Sequence, residues 1–83
     1  MSQYALNSAA SIELDDLDIY DAITLLEEKH FVLTEPAKSP AFQGTWVDRY
    51  HFDDFEGHDL FIEITMRIEG PFVISFKPWN RPA

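Results

Sequence analysis

The clearest pattern in the chain is an alternation over residues 59–69. Leu60, Ile62, Ile64, Met66 and Ile68 take every second position, with Asp59, Phe61, Glu63, Thr65, Arg67 and Glu69 between them. A period of two over this length predicts a strand with one buried and one solvated face. Weaker alternations flank it. Thr45–Phe52 predicts a strand with Trp46, Tyr50 and Phe52 on one face and Asp48 interrupting it. Phe72, Ile74 and Phe76 predict a last strand, stopped near Pro78 and followed by a polar tail over 80–83. Phe31–Glu35 reads as a further strand ended by Pro36, and the prolines and glycine of 36–44 read as a loop.

The same pattern implies a register. If the last two strands place Ile68 and Phe72 on one face, Glu69, Gly70 and Pro71 form a three-residue loop. A two-residue loop would instead turn Val73 and Ser75 toward the core. Pro71 cannot adopt the left-handed backbone that the common three-residue loop wants, so an irregular turn or a bulge is expected there.

Helical spacing is found once. Ile19, Ala22, Ile23 and Leu26 fall on one stripe, with Leu25 beside them. Asp18 reads as the N-cap, Asp21 answers it three residues later, and Glu27, Glu28 and Lys29 close the helix. Residues 1–9 carry no strong period and read as a loose amino-terminal arm. Ala10, Ile12 and Leu14 read as a short edge strand or an extended lead-in. The expected fold is α+β: one amphipathic helix packed on a three- to four-stranded, mainly antiparallel sheet with a C-terminal β-meander, in a single domain spanning 1–83.

Composition narrows this picture. Eighty-three residues suffice for one domain, and a chain this short buries only about 60–65% of its unfolded surface. With no cysteine, neither a disulfide nor a thiolate metal site supplements the core, which fits a reducing cytoplasm. A 46% apolar and 14% aromatic content sets the chain apart from disordered sequences. There is no basic start followed by a long apolar run, and no run near the roughly 20 apolar residues of a membrane helix. The expected location is cytoplasmic, away from a membrane.

The charge is −9, from 15 acids and 6 bases, and residues 1–28 hold seven acids and no base. Such a chain repels phosphate backbones and is steered toward basic partners. Two acidic clusters are candidates for that role. Glu13, Asp15, Asp16, Asp18 and Asp21 make a negative patch; the plain alternative is a well-capped helix start, although capping needs one or two carboxylates rather than five. Asp53, Asp54 and Glu56 surround Phe55, either as carboxylates ringing an interface anchor or as a solvated loop over a core phenylalanine, the reading favoured for Phe55. Calcium spacing fails there, since Gly57 at position six would put Phe52 at position one.

Other chemistry is thin. His51, Asp53 and His58 lie near one hairpin end, but no cysteine or HExxH spacing joins them, so no metal or cofactor is expected. Asp48 is a candidate acid or base if buried, and Asp59 and Glu63 can pair with Arg67. Cross-strand pairing with Arg49 or Arg67 explains these acids without catalysis. No phosphate loop or nucleophile turn is present, and no catalytic residue is assigned. Val47, Phe61, Val73 and Trp79 fall on the nominally solvated sheet face, to be covered by the arm or the 36–44 loop, or to serve as a partner surface.

This profile resembles that of small acidic inhibitors: bacteriocin immunity proteins, anti-CRISPR and anti-restriction proteins, and DNA mimics. The resemblance implies a non-enzymatic protein that inhibits a basic nuclease or nucleoprotein without touching nucleic acid. Its partner-binding residues would be Asp15, Asp16, Asp18, Asp21, Asp53, Asp54, Phe55 and Glu56. The alternative is an assembly subunit or homodimeric accessory factor that uses the apolar outer sheet face.

Overall fold

The alternating segments pair into one antiparallel sheet of four strands. These are β1 (Phe31–Pro36), β2 (Trp46–Phe55), β3 (His58–Arg67) and β4 (Gly70–Pro78), neighbours in that order. The computed structural model describes residues 1–38 and 40–79, so the tail expected over 80–83 lies outside the described residues. Two helices, α1 (Gln3–Ala10) and α2 (Asp16–Thr24), lie on the sheet's inner face. The class is α+β with a C-terminal meander, as the periodicity predicts, but with two helices where one was expected. Ala5, Ala9, Ile19 and Ala22 of the helices join Leu60, Ile62, Ile64, Val73 and Phe76 of the sheet in one core.

The first helix corrects the expectation of a loose arm over residues 1–9. Its buried stripe is made of Ala5 and Ala9, both 0% exposed, rather than of large apolar side chains. Alanine is the best helix former, and its small side chain lets the helix lie close against β4. Ser2 caps it by accepting from the Ala5 amide (3.0 Å). Ser2 also ties the helix to the sheet: its amide donates to the Val73 carbonyl (2.8 Å) and its hydroxyl to the Ile74 carbonyl (2.5 Å). The Ala10–Leu14 alternation is not a strand. The α1 helix closes there through Glu13, left-handed at φ 63, with the Leu14 amide reaching back to the Ala9 carbonyl (3.0 Å).

The second helix starts three residues earlier than expected. Asp15, not Asp18, is the N-cap, and Asp18 completes a reciprocal capping box with it. It also ends earlier, at Thr24. His30 Nδ1 accepts from the Glu27 amide (2.9 Å) and its ring stacks on Phe52 (4.5 Å), which folds residues 28–30 into a 3-10 turn leading into β1.

The β2–β3 hairpin is tighter than the solvated loop expected over 53–59. Phe55 pairs with His58, leaving Glu56 (φ 50) and Gly57 (φ 82) as a two-residue turn with both backbones left-handed. A bulge at Asp53–Asp54 precedes it, and the Asp59 carboxylate accepts from the Asp54 amide (3.0 Å).

The β3–β4 register differs from the one expected. Arg67 pairs with Gly70 (φ 122), so the turn is Ile68–Glu69 and Ile68 is fully exposed. Val73 then lies opposite Ile64 in the core, and Phe72 opposite Thr65 on the outer face. A bulge between Val73 and Ser75 shifts the strand by one residue, so Phe76 still reaches the core opposite Ile62. Met66, expected in the core, is 64% exposed because β3 runs past the helices. No helix of the described residues is long and apolar enough to cross a membrane.

Ser2 carries two loads, a helix cap and a clasp on the bulge of β4. Ser2→Ala is expected to lower stability by about 1–2 kcal/mol. For a domain of this size that shifts the melting temperature by about 5–10 °C. A thermal melt that moves by less than a degree would show that the clasp is dispensable.

Candidate functional site

Cross-strand pairing arranges the outer face in rows. His51, Phe61 and Lys77 form one row; Leu33, Arg49, Glu63 and Ser75 the next; Glu35, Val47, Thr65 and Phe72 a third. Alternation in each strand brings these side chains to the side away from the helices.

The centre of the face is an ionic cluster. One Arg49 nitrogen, Nη2, donates to Glu35 Oε1 (2.6 Å) and to Glu63 Oε2 (3.3 Å), and Ser75 Oγ donates to Glu63 Oε1 (3.0 Å). The three charged side chains are 18–26% exposed, so this is a half-sheltered network rather than a surface pair. Arg49 Nε is buried and has no hydrogen-bond partner among the described residues. The guanidinium lies 5.0 Å from the Phe61 ring centroid. Beside the cluster the loop after β1 folds over the face, burying Val47. It leaves a cleft of about 310 Å³ lined by Lys38, Phe42, Arg49, Glu63 and Ser75 among others.

Cations and rings alternate around this centre. Arg67 lies 3.8 Å from the Phe72 ring centroid and 5.2 Å from that of Phe42. Lys77 Nζ is 4.9 Å from the Phe61 centroid and 5.8 Å from that of Tyr4. His51 stacks on Trp79 (3.6 Å) and sits 5.9 Å from Phe61. Three of the six Lys and Arg residues, Arg49, Arg67 and Lys77, therefore share this face, and Lys38 borders its cleft. In a chain of charge −9, half of the Lys and Arg residues thus share one face, with Glu35 and Glu63 among them. A whole-chain sum could not show that. The signal lay in Arg49, Arg67 and Lys77 falling at alternate positions of paired strands.

The acids singled out in the sequence lie elsewhere and do mainly local work. Asp15 and Asp18 bind each other's backbone amides (2.9 and 3.0 Å), and Asp16 accepts from the Leu17 amide (3.0 Å). Asp21 is exposed on α2. Asp53, Asp54 and Glu56 are exposed at the β2–β3 bulge and turn, whereas Phe55 is 6% exposed and packs edge-on against Phe52 (5.6 Å). Phe55 is thus a core residue and not an exposed anchor. Asp48 faces inward and accepts from Thr34 Oγ1 (2.6 Å). His51, Asp53 and His58 do not converge, and among the described residues no three His, Asp or Glu side chains could hold a metal ion. The four-residue apolar outer patch does not form, because Val73 faces the core and Val47 is covered.

Removing Arg49 would leave Glu35 and Glu63 facing each other without a countercharge. Arg49→Met is expected to cost about 1–3 kcal/mol at neutral pH, at the lower end for a buried pair because the cluster is partly exposed. Chemical denaturation of both proteins at neutral pH checks this; a midpoint that does not move would mean that the Arg49 bridge is dispensable.

No curated protein and no solved structure matches the chain. A family model does, over residues 1–78: Motility quorum-sensing regulator, toxin of MqsA. This match overturns the reading of a non-enzymatic acidic inhibitor of the immunity-protein, anti-CRISPR or DNA-mimic kind, since the family is one of ribonuclease toxins. It likewise replaces a basic nuclease as partner with an antitoxin, and it removes the ground for excluding nucleic acid. The inhibitor reading failed because it took the acidic clusters as the working surface and Arg49 and Arg67 as ordinary cross-strand partners of the acids. With nearly its whole length matched, the chain belongs to the MqsR toxin family.

Proposed function

We propose that this chain is an endoribonuclease toxin held in check by an antitoxin of the MqsA kind, and that its outer sheet face binds single-stranded RNA. Family membership supports the activity. The observation that carries the site is the segregation of Arg49, Arg67 and Lys77 among the rings of Phe61, Phe72 and Trp79 on one face. Single-stranded RNA is gripped by cations that follow its phosphates and by rings on which splayed bases stack. The acidic remainder repels RNA from every other surface and so directs it to this one.

Cleavage of RNA without an external nucleophile uses the 2′-hydroxyl. That oxygen attacks the adjacent phosphorus, the bond to the 5′-oxygen of the next nucleotide breaks, and a 2′,3′-cyclic phosphate and a free 5′-hydroxyl result. The 2′-hydroxyl must lose a proton, the leaving oxygen must gain one, and the charge building on phosphate must be met by a cation. His51 and Lys77 flank Phe61 from the two neighbouring strands. Imidazole is the side chain suited to proton transfer near neutrality. In this reading His51 moves the proton, its ring held by Trp79, and Lys77 meets the charge.

Purified protein should cut a single-stranded RNA into products with cyclic phosphate ends. His51→Ala should lower the cutting rate by about 10²–10⁴-fold with RNA binding retained. Lys77→Ala and Arg67→Ala should each weaken binding and flatten its salt slope by about 0.7 for each phosphate no longer neutralised. RNA that is neither bound nor cut, or binding unmoved by both cation variants, would refute the assignment.

A further inference from the structure

The inner face of the sheet is only partly covered. The α2 helix stops at Thr24, and the far end of β2 and β3 extends beyond it. Between the end of α2 and that part of the sheet lies a groove of about 490 Å³, with Ile23, Leu26, Phe31, Tyr50, Ile64 and Met66 on its walls. Phe31 is 44% exposed and Met66 64%. Glu27, Glu28 and Asp48 also line it, so an apolar floor is bordered by carboxylates. Tyr50 stays protonated well into alkaline conditions, since burial first and the neighbouring Asp48 second raise it above its ordinary 10.0, and its hydroxyl is kept as a neutral group in the groove.

We propose that this groove is the docking site for a segment of the antitoxin that carries apolar anchors flanked by Lys or Arg. The identity of the partner rests on the toxin reading above; the groove and its chemistry do not. Phe31 and Met66 stand exposed beside the apolar floor of the groove, and exposed apolar side chains bordered by polar groups are what a docking partner can cover. The three carboxylates then select the occupant, because charges that border a docking surface reject like and favour unlike partners. A second copy of this chain would bring Glu27, Glu28 and Asp48 against their own equivalents, on a molecule of charge −9. A basic segment meets only Lys29, whose exposed pairing with Glu27 (3.5 Å) it would replace. The groove and the His51–Phe61–Lys77 row lie on opposite sides of the sheet, so a segment docked here anchors the antitoxin, and any cover over the RNA face must come from another part of it.

The test uses synthetic peptides of about 15 residues tiled through the antitoxin of the same pair, titrated into the full-length chain with methyl groups labelled for NMR. The expected result is that one peptide bearing Lys or Arg beside apolar residues binds and shifts the Met66, Ile64 and Ile23 methyls. Met66→Ser combined with Phe31→Ser should weaken that binding at least tenfold; Met66→Ser alone, at a residue 64% exposed, should weaken it with the melting temperature kept, whereas Phe31 packs edge-on against Tyr50 (5.8 Å). Glu27→Gln with Glu28→Gln should reduce its salt dependence. The inference is overturned if no peptide binds, if the best binder is acidic, if the shifts fall on the open edge of β1 instead, or if sedimentation shows a dimer closed through Met66. RNA cleavage is scored separately: peptide binding without cleavage would retain the groove and reject the nuclease reading, and cleavage without peptide binding would do the reverse.

Discussion

One extra residue in β4 decides which side of the sheet the last strand presents. The two-residue turn at Ile68–Glu69 sends Val73 into the core and Phe72 outward. Continued without interruption, that register would bury Ser75 and Lys77 and expose Phe76. The bulge between Val73 and Ser75 reverses the parity, so Phe76 enters the core at 0% exposure while Ser75 and Lys77 join the outer face. Ser2 holds the bulge by donating to the Val73 and Ile74 carbonyls, which is why the first helix matters to a face it does not form. Bulges recur near functional sites because they re-aim side chains, and this one aims a lysine.

The consequence is a sheet with two chemically distinct sides. Inside, small alanines and branched side chains make the core, and an acidic-rimmed apolar groove remains where α2 stops short. Outside, Arg49 is clamped between Glu35 and Glu63, and Arg67 and Lys77 rest on Phe72 and Phe61. The clamp settles a competition. Two carboxylates close together on a half-sheltered face repel each other, and a guanidinium donating to both turns that repulsion into a rigid centre from which the cleft is built. In the proposed RNA reading, the less constrained cations at Arg67 and Lys77 are the ones that meet phosphate.

Much of the fold was legible in the sequence. The period of two in Leu60, Ile62 and Ile64 identifies β3 and its buried side, and the acids before Ile19 mark the start of a helix even though the cap is Asp15 rather than Asp18. What was not legible has physical causes. The first helix buries Ala5 and Ala9, which hydropathy hardly distinguishes from a polar arm, and its only local sign was Ser2 as a cap. The bulge in β4 depends on a bond from Ser2, more than 70 residues away, which no local pattern contains. The site was hidden for a related reason. A charge of −9 argues against RNA only if charge is uniform, and segregation of three bases onto one face emerges once the strands are paired. The acids, too numerous for capping alone, are divided among a capping box, a helix surface and a hairpin bulge.

The most direct measurement of the central claim is photo-crosslinking of the protein to a single-stranded RNA carrying 4-thiouridine, with the attachment points read by mass spectrometry. If the face made by the β4 bulge is the RNA surface, crosslinks fall on Phe61, Phe72, Lys77 or Trp79 and disappear at high salt. Crosslinks on α2 or in the groove around Met66 and Phe31, with the outer face untouched, would contradict it.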